Sequence, residues 1–343
     1  MSKKNRSKFR SFAIFIILSA LAVGVMGYSA FYGNALKEKT SIYISSATTY
    51  EELHSEITQN LQSALHRSAF DFYASRLNLK GRINAGYYCF DEGTDVIRMV
   101  RRLVLGEQTP VKLVIGEART LPQLAGKIAT QIEADSATLL RTMRNKELRR
   151  ELGFVKDSTI AMFIPNTYEV WWNTSPEKLV RRMHREYNGF WNEERTAKLK
   201  RCRLSKYEVM TLASIVYEEV KATSEMPVIA GVYINRLRCG MPLQADPTVK
   251  YAIGDFGLKR ILYKHLKYRS PFNTYINRGL PPAPICVPSV AAIDAVLNYS
   301  EHKYLYFCAR PELDGRHNFA RTLKEHNVNA QKYSKAIDKL RIK

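Results

Sequence analysis

A single glutamate interrupts the apolar face of a predicted helix near position 219. Within residues 211–220, the side chains stacked one or two turns before Glu219 are Val216, Ile215 and Leu212, all aliphatic. A carboxyl group on such a face loses hydration, which disfavours its charged form and raises its pKa toward that of a general acid. Glu219 is therefore a candidate proton donor, with a buried structural ion pair or a frayed helix end as the alternative.

The neighbouring Glu218 falls on a different face of the same predicted helix. At about 100° per residue, two of its stacked neighbours are Ser214 and Thr211, so it should lie nearer to solvent or to a polar groove. Helical phase alone therefore distinguishes these two adjacent carboxylates.

A second polar side chain interrupts an apolar pattern at Asn235, which stacks over Val232, Gly231 and Val228. Two polar groups on the inner faces of consecutive helices could converge on one cleft. A hydrogen-bonded asparagine in the core is the alternative.

Two consecutive helices must position these groups. Ser205 and Glu208 form a capping-box pattern, which predicts that the first helix covers about 206–222. A proline in the first turn and a glycine after the last predict the second helix over 227–239. The segment 240–290 is rich in turn-forming residues, and loops of this length inside a domain are usually functional.

Upstream of these helices, short β-rich runs alternate with helical patterns. Strands are predicted over 40–45, 86–90 and 112–115, and helices over 48–67, 121–132 and 177–187. This mixture predicts an α+β fold.

The N-terminus has an asymmetric charge distribution. Five basic residues lie within the first ten, and no charged residue follows until Lys37. The apolar run Phe12–Tyr32, as a helix, is about 30 Å long and matches a bilayer core. Since basic residues remain cytoplasmic, we expect a single-pass anchor in the cytoplasmic membrane, with the N-terminus inside and the rest periplasmic. A signal peptide cleaved near Ser29, Ala30 or Ala35 is the alternative.

The net charge of +21 would favour nucleic acid as a partner of a cytoplasmic protein. An exported chain instead meets anionic lipid headgroups and an anionic cell wall. We therefore expect no nucleic-acid partner, and a cytoplasmic C-terminus would revive that alternative.

The motifs of several common enzyme classes are missing from the sequence. It contains no G-x-S-x-G, P-loop, H-E-x-x-H or G-x-G-x-x-G pattern. The five cysteines form no C-x-x-C pair, and no histidine stands at metal-ligand spacing. No metal and no cofactor are therefore predicted.

Many blocks of this sequence, in order, resemble the YceG-like endolytic murein transglycosylase family. The C-terminal blocks are LASIV at 212–216 with Glu219, GVYINRL at 231–237, GMPLQADPTV at 240–249, NTY at 273–275, GLPP at 279–282, YLYF at 304–307, HNF at 317–319 and HN at 326–327. Upstream, FIPNTY at 163–168 and AGY at 85–87 continue the resemblance, which is strongest over 207–331.

The sequence departs from the family pattern at two positions. The family commonly has two glutamates two residues apart on the catalytic helix, and here the first position is Tyr217 and the second is Glu219. The family's catalytic acid corresponds to the second, so the resemblance assigns catalysis to Glu219. Asn166 stands where the family usually has aspartate.

The resemblance implies cleavage of the MurNAc–GlcNAc bond within a glycan strand, leaving a 1,6-anhydro-MurNAc end. Ordinary glycosidases use two carboxylates, whereas in a lytic transglycosylase the C6 hydroxyl of the sugar is the nucleophile and one glutamate acts as acid and then base. The residues expected to bind substrate are Ser214, Asn235, Gln244, Asp246, Thr248, Asn273, Thr274, Tyr275, His317 and Asn327. For those in loops, ordinary turn chemistry is the alternative.

The sequence patterns and the resemblance together predict six segments. They are a basic cytoplasmic segment 1–10, a transmembrane anchor 11–32, a LysM-like module 33–110, an intermediate part 111–204, a mixed α/β catalytic region 205–335 with long loops lining a glycan cleft, and a basic tail 336–343. The implied partners are peptidoglycan strands, the membrane and a peptidoglycan synthase of the penicillin-binding type. A wall-binding scaffold of the same fold that has lost catalysis, suggested by Tyr217, is the alternative.

Overall fold

The structure is a computed structural model that describes residues 3–154, 158–220, 222–258 and 260–339. Its helices are α1 (Lys3–Tyr32), α2 (Tyr50–Asn60), α3 (Ala64–Arg76), α4 (Val96–Leu105), α5 (Leu121–Ala129), α6 (Ser136–Met143), α7 (Lys146–Glu151), α8 (Pro176–Phe190), α9 (Glu193–Cys202), α10 (Lys206–Glu219), α11 (Met226–Arg238), α12 (Asp246–Ile253), α13 (Tyr263–Leu266), α14 (Val290–Leu297) and α15 (Leu323–Lys339).

The strands form small two-stranded sheets. They are β1 (Thr40–Ile44), β2 (Gly86–Phe90), β3 (Val111–Ile115), β4 (Asn166–Val170), β5 (Tyr306–Ala309) and β6 (His317–Ala320). β1 pairs with β2 and β5 with β6, both antiparallel, while β3 pairs with β4. The α+β class predicted from the sequence is confirmed.

The chain divides into two units. The first consists of Met1–Lys112, Gln131–Glu133 and Glu169–Thr174, and the second of Leu113–Thr130, Ala134–Tyr168 and Ser175–Lys343. The predicted segments 111–204 and 205–335 both lie largely in the second unit, which holds the candidate site.

In the first unit, β1 and β2 cover helices α2, α3 and α4. The strands alternate buried and more exposed positions, as expected for a sheet with one face on a core. Ile42 and Tyr88 from the strands meet Phe70 of α3 in that core. The apolar stretch Arg10–Tyr32 of α1 is largely exposed and is long enough to cross a membrane.

In the second unit, α10 is the central helix and packs against α11 and α14. Residues 209–216 of α10 are all buried, so this helix is enclosed on every side. α11 lies close to the segment after α14 at Gly231, where a Cβ atom would stand 2.4 Å from the Ser300 carbonyl oxygen. Only glycine permits this approach.

Three sequence predictions differ from the structure. The helix expected over 48–67 is two helices, because the chain turns after Asn60 and Ser63 caps α3. The helix expected to reach residue 222 ends at Glu219, because Val220 is extended. The loop expected over 240–290 contains α12 and α13, because Pro247 occupies the first turn of a helix instead of a turn.

Candidate active site

Glu219 is the last residue of the central helix α10. The backbone of Val220 is extended, with φ −136° and ψ 133°, so the chain leaves the helix directly after the glutamate. Residues 209–216 of the same helix are buried on all sides. The fold therefore holds Glu219 on a rigid element at the point where that element emerges from the core.

Tyr233 of α11 holds the carboxyl group of Glu219. Its hydroxyl donates a hydrogen bond to Oε1 of Glu219 over 2.7 Å, and the tyrosine is 1% exposed. The ring of Phe307 on β5 packs edge-on against Tyr233, with centroids 5.9 Å apart. Packing against Phe307 therefore holds the Tyr233 ring in place, and the hydrogen bond from Tyr233 holds the carboxyl group of Glu219.

Burial raises the pKa of Glu219 from 4.5 to about 7. The hydrogen bond from Tyr233 opposes this shift, the negative charge of Asp246 adds to it, and the positive charges of Arg236 and Lys250 oppose it. Glu219 is partly accessible from the cleft, yet surrounding protein atoms enclose its carboxyl group closely enough for desolvation to dominate. A substantial fraction of this group is therefore protonated near neutral pH.

Glu219 opens into a cavity of about 290 Å³. The cavity is lined by Glu219, Arg236, Gln244, Asp246, Tyr275, Tyr306, Phe307, Leu323 and His326. This volume lies near the lower end of ligand clefts. Of the residues predicted to bind substrate, the structure brings Gln244, Asp246 and Tyr275 together with Glu219 on this cavity.

Hydrogen bonds between two distant segments shape one wall of the cavity. Oγ1 of Thr274 accepts from the Ala245 N–H at 3.0 Å and lies 2.8 Å from Oγ1 of Thr248, while Gln244 N–H donates to the Thr274 carbonyl at 3.1 Å. Thr248 and Thr274 are almost wholly buried. They position the segment that carries Gln244 and Asp246 and do not line the cavity.

Asp246 and Gln244 reach the cavity from the start of α12. The Tyr275 hydroxyl donates to Oδ1 of Asp246 over 2.6 Å. Burial and this bond raise the pKa of Tyr275, which therefore keeps its proton. Gln244 has φ +50°, a left-handed conformation uncommon for a residue with a side chain. Such conformations concentrate at functional sites.

Arg236 and two rings form another wall. Nε of Arg236 donates to the Leu305 carbonyl at 2.7 Å, and Nη1 donates to the Leu243 carbonyl. Its guanidinium lies over the Tyr306 ring, which stacks on His326 with centroids 5.4 Å apart. The Nδ1 atom of His326 is enclosed and has no hydrogen-bond partner among the described residues.

Asn235 and Ser214 lie in structural networks instead of on the cavity. The Asn235 amide donates to the carbonyls of His302 and Tyr304 at 2.8 and 3.0 Å. Oγ of Ser214 donates to the Thr211 carbonyl and accepts from Ile285 N–H. Asn235 therefore links α11 to the segment before β5, and Ser214 links α10 to the segment before α14.

Three further predicted residues also lie outside the cavity lining. The amide of Asn273 donates to the carbonyls of Leu266 and Tyr268, which shapes the loop before Thr274. Nδ1 of His317 lies 2.8 Å from Oε2 of Glu225 in a mostly buried pair. Asn327 is exposed on α15, next to His326.

Glu218 points into a separate polar groove, in agreement with its helical phase. Arg119 binds both of its carboxylate oxygens, at 3.3 and 3.1 Å, and the guanidinium lies over the Phe256 ring. This groove encloses about 60 Å³. The two adjacent glutamates therefore have different surroundings. Glu218 is ion-paired with Arg119, whereas Glu219 accepts a hydrogen bond from Tyr233.

Six residues of the cavity region were not predicted as site residues from the sequence, namely Tyr233, Arg236, Tyr306, Phe307, Leu323 and His326. Tyr233 and Tyr306 look like core aromatics in the sequence, and Arg236 like a surface charge at a helix end. Arg236 had a usable local signal, because it lies one position from Asn235 in a helix whose last turn continues directly into the loop bearing Gln244.

The fold and the cavity define an α+β protein in which the last residue of the central helix carries a closely enclosed carboxyl group with a raised pKa. Residues 42–332 match the YceG-like family, and the chain belongs to that family. The endolytic murein transglycosylase of Bacillus subtilis is 30% identical over 90% of this chain and 91% of its own length. The Streptococcus pneumoniae protein of the same name is 27% identical over 94% of this chain, which spans 64% of that relative.

A solved structure agrees with this assignment. The crystal structure of a yceG-like protein from Listeria monocytogenes matches with a TM-score of 0.57 and 28% sequence identity. The match covers 85% of this chain and 99% of the Listeria chain. The match therefore includes residues of both units.

Proposed function

We propose that this protein is a membrane-anchored endolytic lytic transglycosylase that cleaves the MurNAc–GlcNAc bond within peptidoglycan strands, with Glu219 as acid and then base. The observation that supports this most is the Glu219 carboxyl group, which has a pKa of about 7 and is held by Tyr233 on an open cavity. The names of the relatives support murein as the substrate and transglycosylation as the reaction.

The proposed reaction needs one titrating group. Protonated Glu219 donates its proton to the glycosidic oxygen as the bond from that oxygen to C1 of MurNAc breaks. The C6 hydroxyl of the same MurNAc forms a bond to C1, and its proton passes to the Glu219 carboxylate. The products are a free GlcNAc 4-hydroxyl and a 1,6-anhydro-MurNAc end. No water is consumed, and Glu219 ends protonated, ready for the next cycle.

The cavity lining supports a division of the predicted binding residues. Gln244, Asp246 and Tyr275 contact the sugar in this proposal, and Tyr306 offers a ring face to a pyranose. The enclosed Nδ1 of His326 adds one unsatisfied polar atom to the same wall. Ser214, Asn235, Thr248, Asn273, Thr274 and His317 act by positioning these groups, and a binding role of Asn327 stays a prediction of the sequence.

The N-terminal helix supports the anchor. Arg10–Tyr32 has a hydropathy of 2.2, and most of its side chains are exposed. Ala30, Ala35 and Leu36 are at most 3% exposed in the core of the first unit. Cleavage near these residues would remove part of that core, which favours retention of the helix over removal of a signal peptide. In this proposal the N-terminus is cytoplasmic and the residues after Tyr32 are periplasmic. The LysM-like assignment and the synthase partner remain predictions of the resemblance.

Mass analysis of the products tests the proposal. The full-length protein in detergent is incubated with purified peptidoglycan sacculi, and released fragments are sized and weighed. An endolytic lytic transglycosylase yields multi-disaccharide fragments ending in 1,6-anhydro-MurNAc. Reducing MurNAc ends would show hydrolysis instead. Co-sedimentation with sacculi without any release would support the scaffold alternative.

A further inference from the structure

The helix α1 continues into the first unit without a flexible linker. The Ala35 N–H donates to the Thr94 carbonyl at 3.1 Å, and the Gln62 N–H donates to the Ala35 carbonyl at 2.9 Å. Oδ1 of Asn34 accepts from the N–H groups of Leu36 and Gly93. Hydrogen bonds and buried side chains therefore fix the rest of the first unit to the end of α1.

Helix α3 of the same unit packs beside the end of α1. Its outward face carries Leu65, Ser68, Phe72 and Arg76, which are all exposed and which we call the α3 face. Phe72 is 64% exposed, and its ring meets that of Phe31 edge-on at 5.9 Å. The acidic residue of this helix, Asp71, is turned aside and pairs with His54 at 2.6 Å.

The position of Phe31 along α1 sets the level of this face relative to a bilayer. The apolar stretch Arg10–Tyr32 has 23 residues, and at 1.5 Å per residue it is about 34 Å long. Its last turn should therefore lie at the membrane–water interface. Tyr28 and Tyr32 are exposed there and stack at 5.2 Å, as is typical of the aromatic belt of a membrane helix.

We propose that the α3 face rests on the membrane surface around α1, with Phe72 and Leu65 among the lipid headgroups and Arg76 near their phosphates. The proposal rests on α1 being the membrane anchor. Phe72 contacts Phe31 in the last turn of α1, and the hydrogen bonds of Asn34 and Ala35 keep this contact in place. No acidic side chain of α3 lies on the α3 face. Aromatic and aliphatic side chains are favoured at this depth, and cations are attracted by anionic headgroups. The first unit is thereby held in one orientation on the bilayer.

Tryptophan substitutions in the full-length protein test this surface. Phe72→Trp and Leu65→Trp are each reconstituted in bilayers containing lipids brominated near the headgroup end of the acyl chain. The emission of the native tryptophans, measured on the wild type, is subtracted. Phe15→Trp, within α1, reports on the anchor. Leu105→Trp is the matched control, since Leu105 is 67% exposed and ends the helix that begins beside the α1 junction.

The expected result is loss of emission and a shift to shorter wavelength for positions 15, 65 and 72, with position 105 unchanged. Quenching at position 15 without quenching at 65 and 72 would overturn the docked α3 face and leave the anchor standing. No quenching at position 15 would show that α1 is not inserted, and the proposal would fall with the anchor. Equal quenching at 105 and 72 would contradict a specific face.

Discussion

The Tyr233 hydroxyl donates a 2.7 Å hydrogen bond to Glu219, joining the inner faces of α10 and α11 at the cavity. Each residue is placed by a rigid helix, and the pair combines two opposed effects on one proton. Enclosure of Glu219 favours its neutral form, while the tyrosine favours its charged form. Their balance leaves a pKa of about 7, which suits a group that must give and then take a proton at neutral pH.

Removal of the Tyr233 hydroxyl should shift the alkaline limb of the activity profile to higher pH. Tyr233→Phe deletes a bond that lowers the pKa of Glu219, so the protonated form should persist to higher pH. The alkaline limb of the profile of kcat/KM against pH is expected to shift to higher pH, with a lower maximum because the carboxyl group is less well held. Tyr299→Phe, whose hydroxyl accepts from Arg238, is the control. An unchanged alkaline limb would argue against the role of the bond.

Neutralising Asp246 should shift the same limb in the opposite direction. The negative charge of Asp246 raises the pKa of Glu219, so Asp246→Asn should lower it and cause loss of activity to begin at lower pH. Asparagine can still accept the Tyr275 hydrogen bond, so the wall should keep its shape. Asp255→Asn, outside the cavity lining, serves as control. An alkaline limb that shifts to higher pH or stays in place would contradict the electrostatic coupling between Asp246 and Glu219.

Glu219 should also lower stability at alkaline pH. Its pKa is raised from 4.5 to about 7, so the folded state holds the proton more tightly than the unfolded chain. The associated stability is full below pH 4.5 and is lost as pH rises through about 7. The shift corresponds to roughly 3 kcal/mol. Glu219→Gln should therefore unfold at higher temperature than wild type at pH 8, with the difference shrinking toward pH 4. Equal melting temperatures at pH 8 would contradict the burial of the charge.

The ion pair between Glu218 and Arg119 should matter for stability more than for catalysis. A double-mutant cycle of Glu218→Gln and Arg119→Gln is expected to give a coupling energy of about 1 kcal/mol, as for partly exposed pairs. Turnover should change by no more than a few fold. Loss of activity in the Glu218 variant, with its melting temperature unchanged, would assign that residue a catalytic role.

Local patterns predicted the elements that position the site. The capping box of Ser205 and Glu208 set the start of α10, and helical phase separated Glu219 from Glu218. The strand predicted over 86–90 is β2 without change. These features depend on neighbours in sequence, so the sequence is sufficient to predict them.

Long-range contacts could not be derived in this way. The bonds of Thr274 to the segment around Ala245 join residues 29 positions apart, and they turn an apparent loop into a shaped wall. Asn235 matched the pattern of a cleft residue, yet its amide donates to two backbone carbonyls of the segment before β5. Tyr233 looks like a core aromatic because its hydroxyl finds a partner only on another helix.

The central claim is that Glu219 is the acid and base of glycan cleavage. Full-length wild type, Glu219→Gln and Glu218→Gln are incubated with the same sacculi, and anhydro-muropeptides are quantified by mass spectrometry. Loss of general acid catalysis lowers rates by about 10² to 10⁴, so Glu219→Gln should release no anhydro product above background while it still folds and co-sediments with sacculi. Glu218→Gln should remain within a few fold of wild type. Anhydro product from Glu219→Gln at near wild-type rate would contradict the account.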